Sequence, residues 1–216
     1  DPGIIRRIVR IALPSSISTM ERPFAQTVLM LIIIPFGTLS VAAHTIIQRF
    51  EMMLITPGMA IGMAAGVLAG QNLGAAQPER AEKTGWLAVA FSTIFTIIFC
   101  MVIFLWAESV VGIFSADPGV IEIASKFVRI ATVGFLVMGL GITLMQCISG
   151  TGDTLPPMLI TTFGMWAIEV PLAFILPKVG NLGVFGVRWA TVIGLLARAT
   201  ADVIYFKSGR WKRKRV

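Results

Sequence analysis

The segment between Lys83 and Glu108 constrains the fold of this chain more than any other feature, because it contains no charged residue. Trp86 and Trp106 stand near its two ends, twenty residues apart. At ~1.5 Å per residue, an α-helix of that length covers ~30 Å, which is the thickness of the hydrocarbon core of a bilayer. Each indole ring would then lie at one membrane interface, where tryptophan is enriched. The segment therefore predicts a membrane-spanning helix.

Five further apolar segments follow the same pattern, and the six together occupy nearly the whole chain. The predicted spans cover about 10–36, 42–69, 84–107, 120–148, 156–176 and 183–206. Charged residues make up 13% of the 216 residues and hydrophobic residues 56%, whereas soluble domains contain about 25% charged residues. We therefore predict an all-α, polytopic membrane protein, built as one bundle of six transmembrane helices without room for a second domain. Trp189 at one end of the last span, and Tyr205 and Trp211 at the other, fit aromatic belts.

The net charge of +7 is concentrated at the two ends of the chain and in one loop. With the amino terminus inside, eleven basic residues fall on the inner side and four on the outer side. The inner group is Arg6, Arg7, Arg10, Arg80, Lys83, Lys207, Arg210, Lys212, Arg213, Lys214 and Arg215, and the outer group is Lys126, Arg129, Lys178 and Arg188. Because cytoplasmic loops carry the excess of lysine and arginine, we predict a plasma (inner) membrane protein with both termini in the cytoplasm.

This charge distribution also predicts how the chain is divided and what it binds. Residues 1–10 are a basic cytoplasmic linker, 11–206 a six-helix transmembrane lobe, and 207–216 a basic cytoplasmic tail. The basic clusters flank apolar segments, so the lipid bilayer is the predicted partner and nucleic acid is not.

Glycine and proline recur inside the predicted spans. The second span carries a glycine at every fourth position, which places them on one helix face and predicts close packing against another helix. A surface on which one helix slides past another is the alternative. Prolines interrupt several spans, and each freed carbonyl must find another partner or a watery cavity, which suits a transporter. These residues are Gly58, Gly62, Gly66 and Gly70, and Pro14, Pro23, Pro35, Pro57 and Pro171.

Glu21 is the predicted cation-binding residue. It lies eleven residues beyond Arg10, or ~16 Å along a helix, which is the middle of the first span. A charge at the bilayer centre costs ~2.5–3.5 kcal/mol on insertion scales, so its presence predicts a role in function. Pro23 disrupts the backbone hydrogen bond to Thr19, and a carboxylate beside loosened carbonyls suits a proton or sodium site. A static ion pair with another helix is the alternative; Arg22 projects ~100° away and is a poor partner.

Three other intramembrane charges are candidates for the transport path, because ionisable groups inside spans are rare and costly. Arg49 and Glu51 belong to the second span, and Glu169 belongs to the fifth. Arg49 and Glu51 are two residues apart, so we expect them to face different sides of the helix and to pair with other helices.

Three more polar residues are expected to be structural. Arg198 and Asp202 are four residues apart on the sixth span, so the two side chains are expected to pair with each other. His44 lies near the outer end of the second span and is expected to be a wet interfacial histidine rather than part of a proton relay.

No enzyme pattern is complete in this sequence. It contains no GxxxxGK[ST], HExxH or GxSxG motif, which excludes the common ATPase, zinc protease and serine hydrolase sites. Cys100 and Cys147 lie in apolar segments, and with one histidine they predict neither a zinc site nor a disulfide. Residues 150–153 read GxGD, as in intramembrane aspartyl proteases, but no second aspartate lies mid-span upstream to share the proton. We predict a non-enzyme with no catalytic residues, no cofactor and no metal, apart from sodium as one alternative at Glu21.

Four stretches resemble the multidrug and toxic-compound extrusion (MATE) transporters. The strongest is TPGMAIGMAAGVLAGQNLGAAQPERAEK, and the others are GTLSVAAHTIIQRFE, SGTGDTLPPM and VPLAFILPKVGNLGVFGVRWA, in the order of the family. The resemblance implies twelve helices in two pseudo-symmetric lobes, of which this chain is the C-terminal lobe, with the N-terminal lobe as an absent partner. The start on Asp1 rather than Met agrees with a cut chain. It further implies secondary active antiport by alternating access, exporting small-molecule drugs or organic cations in exchange for sodium ions or protons.

The resemblance also implies a cation-binding glutamate on the helix that opens the lobe, and Glu21, seven residues after Pro14, matches that pattern. The sodium-coupled branch carries an acidic residue partway along the fourth span, but nothing acidic lies between Glu122 and Asp153 here. The coupling ion is therefore left open between sodium and proton. A lipid-linked oligosaccharide flippase of the same superfold and a non-transporting membrane interaction subunit are the alternative functions.

Overall fold

Six helices that are long and apolar enough to cross a membrane make up most of the chain, which confirms the predicted fold class. The computed structural model describes residues 2–213, with the side chains of residues 12–212 and of Ile5 and Val9. Part of the basic group used to predict the orientation lies outside these described side chains, namely Arg6, Arg7, Arg10, Arg213, Lys214 and Arg215.

The spans follow one another up and down through the bundle. Helix α1 (Pro2–Ile33) ends in a 3₁₀ turn (Ile34–Phe36), and α2 (Thr38–Gly74), α3 (Pro78–Leu105), the short α4 (Ala107–Gly112) and α5 (Pro118–Gly150) follow. The fifth span is composite and consists of α6 (Leu155–Thr162), a π-helix (Phe163–Glu169), α7 (Val170–Ile175) and a 3₁₀ turn (Leu176–Lys178). Helix α8 (Val184–Lys207) is the sixth span, and a 3₁₀ turn (Arg210–Arg213) follows it.

Short polar or glycine-containing signals mark where helices begin. Asp117 caps α5, because its Oδ1 accepts a hydrogen bond from the backbone N–H of Gly119 at 2.8 Å, and Pro118 occupies the first helical turn. Gly37 joins α1 to α2 with φ +93°, a conformation that favours glycine. Such short connections leave consecutive helices antiparallel and adjacent.

The prolines disturb the helices less than expected. Helix α1 continues through Pro14 and Pro23, and α2 continues through Pro57. Of the five prolines named above, Pro35, which lies in a 3₁₀ turn, and Pro171, just after the end of the π-helix, coincide with a change of helical type. Neighbouring helices can satisfy the carbonyls that a proline frees, so a proline in a membrane helix need not break it.

Helix α5 forms the centre of the bundle. It packs against α2, α3 and α8, and 61% of its most apolar stretch is buried, compared with 17% for α1. Helix α1 lies at the edge and makes its main contacts with α6 and α7. The first span therefore exposes most of its apolar surface, which includes Leu13, Met20 and Phe24.

The glycine strip of α2 packs directly against α5, as predicted. A methyl group at Gly62 would meet Gln146 Cβ at 2.7 Å, and one at Gly66 would meet the Gln146 carbonyl oxygen at 2.8 Å. Gly70 lies against Gly150, whose carbonyl oxygen is 3.2 Å from the same hypothetical atom. The absence of side chains therefore allows the two backbones to approach closely.

Gly66→Ala is expected to destabilise the bundle by about 1–3 kcal/mol, because the added methyl group meets backbone atoms that cannot rotate away. The control is Gly74→Ala at the end of the same helix, where an added methyl group meets nothing within 4 Å. Thermal unfolding of the purified full-length protein measures both variants. Equal melting temperatures for the two would contradict the close packing.

Trp211 and Lys212, which follow α8, pack back onto the bundle. Trp211 is fully buried, stacks on Phe206 at a centroid distance of 4.8 Å, and donates its indole N–H to the Phe206 carbonyl oxygen at 2.9 Å. Lys212 forms an ion pair with Glu82 of α3. The expectation that Trp211 lies in an aromatic belt is therefore wrong, because its ring packs inside the bundle rather than against headgroups.

Candidate functional site

Glu21 lies near the middle of α1, on the side that faces α6. Thr162 Oγ1 lies 2.5 Å from Glu21 Oε1. The second carboxylate oxygen, Oε2, is buried without a hydrogen-bond partner. Among the described side chains, no lysine, arginine or histidine forms an ion pair with Glu21, so the alternative of a static ion pair finds no support within that part of the chain.

Thr162 can serve both protonation states of Glu21. Its hydroxyl oxygen also lies 2.9 Å from the Met158 carbonyl oxygen, but one hydroxyl can donate only one hydrogen bond to these two acceptors. When Glu21 is ionised, the hydroxyl donates to the carboxylate. When Glu21 is protonated, the carboxyl group can donate to Thr162, and Thr162 can donate to Met158.

Two adjoining cavities lie against α1, where Ser18 and Arg22 line them; Glu21 is in the lining of neither. One, of about 100 Å³, is bounded by α1, α5, the fifth span and α8, and the other, of about 160 Å³, is bounded by α1, α2, α5 and α6. Ser18, Arg22, Ile142 and Met145 line both. The hydroxyl oxygen of Ser18 is buried without a partner, so this cavity wall offers polar groups to water or to a bound ion.

Glu51 joins three helices through ion pairs. It is 4% exposed, and its carboxylate oxygens lie 3.3 Å from Arg188 of α8 and 3.7 Å from Arg22 of α1. Gln26 also donates a hydrogen bond to Glu51 at 3.2 Å. The expectation that Glu51 pairs with other helices is confirmed. Its surroundings make it a buried anchor of the bundle rather than a free carboxylate.

Arg49 faces the other way, as its spacing from Glu51 predicted. Its side chain is exposed, and its guanidinium lies 5.9 Å from the centre of the Phe114 ring. This contact is a cation–π interaction, and no ion pair involves Arg49 within the described part of the chain. Arg49 therefore does not belong to the buried network, and its role in the transport path stays a prediction.

His44 is buried, so the expectation of a wet interfacial histidine is wrong. Its exposed fraction is 0%, its Nδ1 contacts Arg188, and its Nε2 lies 3.3 Å from Gln48. Gln48 in turn donates to Gln26 at 2.9 Å. The imidazole faces the interior because α8 presents Arg188 to that face of α2, a contact between residues 144 positions apart.

Glu169 and Arg198 form a second buried ion pair, between the fifth and sixth spans. Arg198 Nη2 lies 2.8 Å from Glu169 Oε2, and the Glu169 residue is 2% exposed. Gly164 and Gly194 make room for the two side chains, because a methyl group at either position would collide with Arg198 or Glu169. Glu169 is therefore neutralised by a guanidinium, unlike Glu21.

The expected pairing of Arg198 with Asp202 is wrong. The i,i+4 spacing permits that pair, but Arg198 extends toward the π-helix and takes Glu169 as its partner. Asp202 is 5% exposed, lines the smaller cavity and leaves its Oδ1 without a hydrogen-bond partner.

Arg188, Gln26 and Gln48 are the polar residues that sequence reasoning missed. Arg188 was counted with the outer basic group, near the start of the predicted sixth span, but it lies in the second turn of α8 and is 1% exposed. Gly183, which directly precedes the helix, is the signal that could have placed it inside. Gln26 and Gln48 carry no charge, and the sequence held no signal that linked the two.

Among the described residues, no group of three or more His, Cys, Asp or Glu side chains is arranged to hold a metal ion. Four intramembrane carboxylates fall into two kinds. Glu51 and Glu169 lie in ion pairs, whereas Glu21 and Asp202 each keep one buried oxygen without a partner.

Comparisons with known proteins agree with this architecture. The chain is 30% identical to the probable multidrug resistance protein NorM of Thermotoga maritima over 216 residues, covering 98% of this chain and 46% of that protein. It is 24% identical to multidrug and toxin extrusion protein 1 of Mus musculus, covering 95% of this chain and 36% of that protein. The chain thus spans about half the length of the curated relatives it matches, or less.

Solved structures have the same fold. A mutant of the Vibrio cholerae MATE transporter VcmN superposes with a TM-score of 0.88 at 17% identity, covering 96% of this chain and 48% of that one. The sequence model of the MatE family matches residues 14–175, which is most of the chain. This chain is a member of the MatE family of membrane proteins.

Proposed function

We propose that this chain is the C-terminal lobe of a secondary active exporter that moves drugs or organic cations out of the cell in exchange for protons or sodium ions. The observation that carries the proposal is Glu21, a mid-membrane carboxylate with one buried oxygen unpartnered and no ion pair among the described side chains. A carboxylate left without a counter-charge in a low-dielectric interior is stabilised by a bound cation. The multidrug resistance proteins among the relatives support the substrate class.

Glu21 is placed to convert cation binding into movement. Its contact with Thr162 links α1, the least packed span, to the start of the π-helix. Protonation would neutralise Glu21 and let it donate that hydrogen bond, whereas a bound sodium ion would neutralise it, leave it an acceptor and compete with Thr162 for the carboxylate. Because α1 is the least buried of the six spans, a change at this link would shift the balance between two arrangements of α1 against α6. Alternating access in such transporters moves one repeat against the other around the site.

A lipid-linked oligosaccharide flippase finds less support. Its phosphate-bearing substrate would need free positive charge in the cavity. Both arginines that line the smaller cavity, Arg22 and Arg198, form ion pairs with Glu51 and Glu169 respectively. The positive charges of these two arginines are thus largely neutralised by carboxylates of the protein itself.

The test is drug efflux from cells that lack their own exporters. The full-length gene is expected to confer dye extrusion and drug resistance, and dissipation of the ion gradients is expected to stop both. Residues 1–216 alone are expected to confer neither, because six spans provide only one wall of a cavity between two lobes. Resistance from a homogeneous preparation of the six-span chain would contradict the two-lobe proposal, and a full-length protein that extrudes no drug would favour the interaction-subunit alternative.

We also propose that the chain lies in the plasma membrane with both termini in the cytoplasm. The buried position of Arg188 removes it from the outer basic group, which increases the basic asymmetry between the two sides. A cysteine introduced by Asp117→Cys is expected to react with an impermeant thiol reagent from outside, and one introduced by Gln77→Cys only from inside. Both positions are exposed, whereas the native Cys100 and Cys147 are buried and serve as the silent background. The reverse labelling pattern would overturn the orientation.

A further inference from the structure

The charged residues on the wall of the smaller cavity are Arg22, Arg198 and Asp202. Asp202 forms no ion pair within the described part of the chain, whereas both arginines do. Asp202 is 5% exposed, and its Oδ1 lacks a hydrogen-bond partner. Its Oδ2 lies over Gly141 of α5, 3.6 Å from where a methyl group at that position would be. The sixth span therefore places a carboxylate against the fourth span, which carries no acidic residue of its own in this region.

The described ion pairs of the lobe interior leave no cation for Asp202. Arg22 and Arg188 pair with Glu51, and Arg198 pairs with Glu169. Glu21 and Asp202 take part in none of these ion pairs, so each carboxylate, when ionised, has no cation at ion-pair distance among the described side chains. Because isolated charge is costly in a low-dielectric interior, a bound cation is favoured at such a carboxylate.

We infer that Asp202 is a second proton-binding site, which opens into the cavity between α1, α5, the fifth span and α8. The proton arrives on water, forms an O–H bond with Oδ1, and leaves that water behind, so that the carboxylate of charge −1 becomes a neutral acid. Loss of the proton to water reverses the step. As a site of transport coupling, Asp202 rests on the proposed export function, but as a proton-binding group it does not.

The surroundings favour a proton over a metal cation at this site. Ser18, Thr161 and Asp202 are the cavity-lining residues with side-chain oxygens, which is too few for a dehydrated metal ion with a full shell of oxygen ligands. The guanidinium groups of Arg198 and Arg22 also line the cavity and would repel a metal ion, whereas a proton forms a covalent bond and needs no shell. A space of about 100 Å³ is also smaller than the ~300–1,000 Å³ of pockets for drug-sized ligands.

The groups that face Asp202 act on its proton affinity in opposite directions. Arg198 on the same helix and Arg22 from α1 favour the ionised form, while Glu169 offsets the charge of Arg198 from the π-helix. Helix α5 contributes Gly141, Met138 and Met145, and thus no charge. Burial favours the neutral form.

Infrared difference spectra of the full-length protein in lipid test the inference without a transport assay. Protonation between about pH 8 and pH 6, where exposed carboxylates stay ionised, should produce carboxylic-acid C=O bands. Asp202→Asn should remove one band. Glu122→Gln, at an exposed side chain, should remove none.

Asp202→Glu should keep a band at a shifted position, which separates loss of the carboxyl group from misfolding. An unchanged spectrum for Asp202→Asn in folded protein would overturn the inference. So would a band that disappears when sodium chloride replaces choline chloride at constant pH, because the site would then bind a metal ion. Neither result depends on whether Glu21 drives export, so this inference and the proposed function can fail separately.

Discussion

Glu21→Gln is expected to reduce gradient-driven drug efflux to the rate of membranes that lack the protein. The amide keeps the size of the side chain and can still accept the hydrogen bond from Thr162, but it cannot bind and release a proton or neutralise a sodium ion. Substrate would then have no coupled route against its gradient. Amounts of protein in the membrane should stay near normal, because no described ion pair is lost.

The measurement is ethidium extrusion from cells at several pH values and sodium concentrations. Glu122→Gln is the matched control, because its carboxylate is exposed and pairs only with Lys126 one helical turn away. Wild-type efflux by Glu21→Gln under all conditions would show that the coupling ion binds elsewhere. Glu169→Gln is not a suitable control, since it leaves Arg198 buried without its partner.

Glu51→Gln is expected to destabilise the folded protein by about 3–5 kcal/mol, which is the usual cost of leaving a buried charge without its partner. Glu51 is within ion-pair distance of both Arg188 and Arg22. Its neutralisation leaves two guanidinium groups that face each other across α1, α2 and α8. Little monodisperse protein should therefore be recovered after detergent extraction.

Arg49→Gln is the control for Glu51→Gln, because it removes a charge two residues away on the same helix. Its guanidinium is exposed and contacts only the Phe114 ring, an interaction that contributes about 0.5–1 kcal/mol at such sites. Fluorescence-detected size-exclusion chromatography compares the two variants. Equal recovery would show that the Glu51 ion pairs are dispensable. If the ion pairs are needed, adding Arg188→Gln to Glu51→Gln should restore part of the lost recovery, because one unpaired buried guanidinium is removed.

The spans could be predicted from the sequence because hydropathy reports directly on the solvent around a helix. The uncharged stretch after Lys83 became α3, and the glycine strip from Gly58 to Gly70 became the contact with α5. Both depend on local spacing alone. Glu21 was predicted for the same reason, since its depth in the membrane can be counted along the chain, and its role stays a prediction.

Partner choice could not be predicted, because it depends on helices that are distant in sequence. His44 and Arg188 are 144 positions apart, and Glu51 and Arg188 are 137 apart. Arg198 had a local partner available in Asp202 but paired with Glu169 instead. The spacing rule describes an isolated helix, whereas here the π-helix of a different span presents a competing carboxylate 2.8 Å from Arg198.

The buried Trp211 shows that the packed structure extends beyond the apolar sequence of the last span. Hydropathy falls after Phe206, which would suggest shortening the chain there or attaching a fusion partner at that point. A cut at that place would remove the indole that covers Phe206 and the salt bridge that ties Lys212 to α3. Loss of a buried tryptophan side chain costs about 3–5 kcal/mol in protein cores. Affinity tags and reporter domains therefore belong beyond residue 213, and a protease that cuts near Gly209 would loosen the bundle as well as trim a tail.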